Sequence, residues 1–142
     1  MADFKKLLVW RKAHELMLSV HRVTAQMRGA QHAALRNQLM RAAMSIPANI
    51  VEGRGQKSER DFARFLGYSL NSTSELEYHV IAGRDTRAIP EAAALGLLGQ
   101  IIEVRRMLHG LINRLNSPAG PRKAIKVSSN SAEERAAEEA PP

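Results

Sequence analysis

Four basic residues crowd one short stretch of this chain: Arg54, Lys57, Arg60 and Arg64. A guanidinium is a planar fork of donors that matches a phosphate, and lysine adds a compact point charge. The chemistry such a cluster supports is polyanion binding, with nucleic acid the leading target. Arg36 and Arg41 precede the cluster, and Arg105, Arg106 and Arg114 follow far downstream. The sequence has no zinc finger, no paired aromatic platform and no clear recognition helix. Contact through backbone charge, with little direct reading of bases, is therefore the mode these residues fit. The competing reading is a solvated basic face with no ligand.

Other chemistries find less support. Carboxylate-bridged metal centres in helical bundles use Glu-x-x-His pairs, and here Glu75 and His79 are one residue too far apart. His14-Glu15 begins like a zinc-protease motif, but Leu18 stands where the second histidine belongs. Gly53-Arg54-Gly55 lacks the Lys-Ser/Thr and the preceding strand of a phosphate loop. His14, His21, His32, His79 and His109 are scattered, and no serine sits in a nucleophile elbow. The sequence is thus read as non-enzymatic, with no metal, cofactor or small-molecule substrate. A second polar set, Arg41, Asn49, Glu52 and Glu75, is expected to meet as a hydrogen-bonded network where the second and third helices pack. If Glu52 faces a buried charge there, Glu52→Ala should cost roughly 3 kcal/mol.

These groups need elements to position them. The 142 residues suit a single domain. Hydrophobic residues make up 44% of the chain but aromatics only 4%, so the core is aliphatic and favours helices over sheets. There is no cysteine, which excludes disulfides and fits a reducing compartment. Leu7-Leu8-Val9-Trp10 is too short for a signal-peptide core, and no apolar run is long enough to span a bilayer, so a cytoplasmic location is expected without membrane partners. Through Asn116 there are 17 Lys and Arg against 10 Asp and Glu. From Ser117 on, four of each sign cancel, so the whole net charge of +7 sits on the first part.

Apolar periodicity near 3.6 predicts four helices. The first runs from about Leu8 to Arg28, on a stripe of Val9, Ala13, Leu16, Met17, Val20, Thr24 and Met27, and Gly29 ends it. The second covers about His32 to Glu52, with Leu35, Leu39, Ala42, Ala43, Ile46 and Ile50 inward. Pro47 lies inside it, at a penalty of about 3 kcal/mol that packing around a kink must offset. Gly53 and Gly55 are expected to end it through positive φ. Ser58 is placed to cap the third helix, with Phe62, Phe65, Leu66, Ser69, Thr73, Leu76, Val80 and Gly83 inward. Its serines are weak helix formers, and Asn71, Ser72 and Ser74 point to a hydrogen-bonded contact with a neighbour. Pro90 opens the fourth helix, whose apolar stripe from Ala94 to Leu115 is wider than one intrachain face requires, a sign of a subunit interface. Short connections make the fold all-α, an up-down-up-down four-helix bundle over 1–116. Residues 117–142 lack apolar periodicity and are expected to be a disordered tail.

Several of these residues together resemble a known family. They are Phe4…Leu8-Val9-Trp10…Ala13, then Gln38-Leu39…Arg41-Ala42-Ala43…Ser45-Ile46-Pro47-Ala48-Asn49-Ile50…Glu52-Gly53…Gly55, then Ser58…Asp61-Phe62…Phe65-Leu66, Glu75-Leu76-Glu77 and Arg106-Met107-Leu108…Leu111-Ile112. The chain resembles the bacterial four-helix-bundle proteins called 23S rRNA intervening-sequence proteins, with the Ser-Ile-Pro-Ala-Asn-Ile run the most specific part. These are similar to the accessory protein of diversity-generating retroelements, a basic barrel-shaped pentamer that works with a reverse transcriptase and nucleic acid. The resemblance implies a homopentamer and an RNA or DNA partner. The second reading is an oligomeric structural or protein-interaction scaffold whose basic face is incidental.

Overall fold

The computed structural model describes residues 3–117. The tail expected over 117–142 lies, apart from Ser117, outside the described residues. Helix α1 spans Leu8–Gln26, α2 Ala33–Arg54, α3 Glu59–Asp85 and α4 Glu91–Leu115. A 3-10 turn, Phe4–Lys6, precedes α1, and another, Ala30–His32, leads into α2. Among the described residues there is no strand. Each helix packs on the next and α1 also packs on α4, which closes the four-helix bundle; α2 against α3 is the most extensive contact.

The apolar stripes face one another as their periodicity requires. Val9, Ala13, Leu16 and Val20 of α1, Leu39, Ala43, Ile46 and Ile50 of α2, Leu66, Leu76 and Val80 of α3, and Ile101 and Leu108 of α4 are all buried in one core. Serine at the head of α3 does what a cap should: the Ser58 hydroxyl accepts the Asp61 amide at 3.1 Å. Pro90 stands immediately before α4. Just beyond α1, Arg36 of α2 donates to the Met27 and Gly29 carbonyls at 3.1 and 3.0 Å and pins the connection between the two helices.

Helix α2 continues through Pro47, whose ring is buried. The expectation that Gly53 and Gly55 end α2 through positive φ is corrected. Gly55 has φ of −81°, and Gly29 alone among the described glycines has positive φ, 96°. Gly53 lies inside α2 for a steric reason. A Cβ there would fall 2.8 Å from the Phe65 Cβ and 3.2 Å from the Phe62 carbonyl oxygen. The missing side chain is what lets α2 and α3 approach this closely.

That closeness is stitched by small polar groups. Ser69 donates to the Ile46 carbonyl at 2.8 Å, beside the break that Pro47 makes in the amide ladder. The Ser45 and Ser72 hydroxyls share a hydrogen bond across the two helices. On the other side of α3, Arg105 reaches from α4 to Glu77 at 2.7 Å and to the Thr73 hydroxyl at 3.4 Å.

Candidate nucleic-acid interface

The antiparallel order brings several basic segments to one end of the bundle. Arg36 ties the early part of α2 to the residues that directly follow α1, so the start of α1 lies toward the other end of α2. The turn Phe4–Lys6 accordingly packs on α2. Lys5, Lys6 and Arg11 therefore join Arg54, Lys57, Arg60 and Arg64 at the end formed by the α2–α3 turn. Their contribution is not legible in the sequence, because it depends on which helix ends become neighbours. All but Arg54 are exposed, and Arg54 is half-buried.

The turn is built from local bonds. Gly55 donates to the Val51 carbonyl at 3.3 Å and Gln56 to the Gly53 carbonyl at 3.0 Å, which closes α2 before Ser58 opens α3. Glu59 and Asp61 occupy the first turn of α3, where the helix dipole favours acids. They offset part of the local positive charge, so the basic character of this end rests on all its segments together.

Two arginines are braced on rings. The Arg54 guanidinium sits 5.6 Å from the Phe62 ring centre. Arg64 sits 5.0 Å from Phe65 and 5.9 Å from Tyr68, and it donates to the Tyr68 hydroxyl at 3.2 Å. An Asp61 oxygen lies 3.5 Å away. Tyr68, first by its hydrogen bond and then by its charge, raises the Arg64 guanidinium above its ordinary pKa, with a smaller contribution from Asp61. Phe65 and Tyr68 themselves meet edge to face at 5.4 Å. Arg60, Arg64 and Tyr68 follow one another at four-residue spacing, about 6 Å apart along the axis, and make one outward strip.

The other basic residues separate by use. Arg36 is committed to the end of α1 and Arg105 to Glu77, so both serve the fold. Arg41 and Arg106 are exposed, and Arg114 is half-buried.

The expected network of Arg41, Asn49, Glu52 and Glu75 is not found. Arg41, Glu52 and Glu75 are exposed, and the Asn49 amide donates within its own helix to the Ser45 carbonyl at 2.8 Å. Helix rise explains it: eleven residues place Arg41 and Glu52 about 16 Å apart along the axis. The polar contact between α2 and α3 is made by Ser45, Ser69 and Ser72. Of the three residues expected to make it, Ser72 does, while Asn71 and Ser74 are exposed. Among the described residues no group of three or more His, Cys, Asp or Glu is placed to hold a metal ion, and no helix is long and apolar enough to cross a membrane.

The fold defines a class, the all-α four-helix bundles. Within that class the chain belongs to the 23S rRNA-intervening sequence protein family, whose model matches residues 5–110. It is similar in fold to a crystal structure from Bacteroides thetaiotaomicron, described as a protein with unknown function from the S23 ribosomal protein family. The two share 23% identity over 73% of this chain and 97% of the other, with a TM-score of 0.66. Comparison with curated proteins gives no significant match.

Proposed function

We propose that this chain is a non-enzymatic, cytoplasmic protein that binds RNA or DNA through the phosphate backbone, as a homo-oligomer. The observation that carries the reading is the gathering of Arg54, Lys57, Arg60 and Arg64 with Lys5, Lys6 and Arg11 at one end of the bundle, most of them exposed. Rings hold the Arg54 and Arg64 guanidinium groups in place, which lowers the entropy lost when a phosphate docks. Oligomerisation would repeat the charged end around an axis and concentrate it. A homopentamer is the state that the family resemblance favours.

The test is a salt titration of nucleic-acid affinity. Changing Arg54, Lys57, Arg60 and Arg64 together to Gln should weaken binding and flatten its log–log salt slope, by about one unit for every phosphate no longer neutralised. The triple variant that keeps Arg54, which packs on Phe62, should show most of the same effect. Unchanged binding in both variants would remove this end as the site.

A second reading, an oligomeric scaffold without a nucleic-acid role, draws on α4. Leu95 and Ile102 are 57% and 50% exposed, and their seven-residue spacing puts them on one face. Exposed apolar stripes of this kind mark contacts when they are continuous. Light scattering that finds a monomer at micromolar concentration would remove the oligomer from both readings.

A further inference from the structure

The outward strip of α3 differs from a plain cationic surface. Arg64 lies against two rings, and Tyr68 is 42% exposed rather than tucked into the core. Gly67, between them along the helix, has open space where a side chain would stand. Asn71, one turn further on, is exposed and offers an amide to a base edge. A duplex shields its base faces by stacking and presents phosphates to such a strip. A single strand presents phosphates and unstacked bases together, and bases stack on tyrosine rings and guanidinium planes. Bracing Arg64 serves phosphate binding by itself, whereas the exposure of the Tyr68 ring adds a face on which a base can stack.

Building on the nucleic-acid reading above, we infer that the ligand of this end is a single-stranded segment, with a base stacked on Tyr68 beside Arg64 and the flanking phosphates held by Arg60 and Lys57. The Tyr68 hydroxyl and ring hold the guanidinium in place, so ring and cation form one platform. Binding of this kind tolerates sequence, because every base has a π face.

Anisotropy with a short fluorescein-labelled oligouridine and with an RNA duplex of the same length tests it. The protein should prefer the single strand. Tyr68→Ala and Tyr68→Leu should weaken that binding about tenfold to a hundredfold, the range expected for loss of one stacked base. Tyr68→Phe, which keeps the ring, should retain affinity within about threefold of the parent. Duplex binding should fall less than single-strand binding in the alanine and leucine variants, because it loses only the bracing of Arg64 and no stacked base. The leucine variant preserves apolar contact with Phe65, and circular dichroism confirms that each variant is folded. Equal affinity for both probes, no loss in Tyr68→Ala, or parental affinity in Tyr68→Leu would overturn the inference. Salt-dependent binding that is lost in the multiple Gln variant yet indifferent to Tyr68 would leave the backbone reading standing alone. Absence of binding to either probe would overturn both.

Discussion

Two faces of the bundle solve opposite problems. Where α2 meets α3, the chain removes bulk: Gly53 has no side chain to keep Phe62 and Phe65 away, and Ser45, Ser69 and Ser72 bond across a narrow gap. On the outer side of α4, the chain leaves bulk in water: Leu95 and Ile102 protrude, with Gly99 midway between them. Small residues thus mean different things in the two places. At Gly53 the absent side chain is already filled by a neighbour. At Gly96 and Gly99 no neighbouring element among the described residues comes within 4 Å of where a Cβ would stand. The first contact is complete within the chain, whereas the second surface has no partner among the described residues.

Gly53→Ala should sharpen this contrast most. The added methyl has no room beside Phe65, so α2 and α3 must separate, at a cost of about 1–3 kcal/mol in urea denaturation. A neutral result would show that the close approach is not required. Smaller and of opposite sign is the expected effect on α4. Gly96→Ala and Gly99→Ala should each raise the stability of the isolated bundle by about 0.8–1 kcal/mol, because helix propensity improves and nothing collides. If α4 is a subunit contact, the two should part company in assembly. Gly99→Ala, between the exposed leucine and isoleucine, would then weaken the oligomer by sedimentation or light scattering, whereas Gly96→Ala would not. Smallest is Glu52→Ala. The side chain is exposed, so the change should stay within about 0.5 kcal/mol in thermal melts, in place of the roughly 3 kcal/mol that a buried partner would have imposed.

Periodicity makes the helices legible. Val9, Ala13, Leu16 and Val20 lie inward because their spacing leaves no other face, and Ser58 announces the start of α3 by residue type alone. Helix ends are harder to read. The turn after α3 carries Arg87 at φ of 63°, a left-handed conformation that no glycine signals, and backbone bonds from Ala88 and Ile89 to the Gly83 carbonyl hold it. Gly53 misleads because a glycine near a helix end has two uses, positive φ and close approach, and only the neighbouring helix decides between them. The polar set around Arg41 fails on distance along the axis, which letters do not display. At the candidate site, the four clustered cations are visible from spacing. Lys5, Lys6 and Arg11, the Phe62 ring beneath Arg54, and the diversion of Arg105 to Glu77 all depend on which segments the fold makes neighbours.

The order of packing also bears on how the chain reaches its native state. Each helix lies against its successor across a short connection, so most contacts join residues that are near in sequence, and loop-closure entropy opposes folding only weakly. The exception is the seam between α1 and α4, which joins helices far apart in sequence and includes Lys12 facing Glu103 at 3.9 Å. On a ribosome, α2 and α3 can pair as a hairpin while α4 is still being made. Helix α1, though synthesised first, must wait for the last helix before its final side is covered.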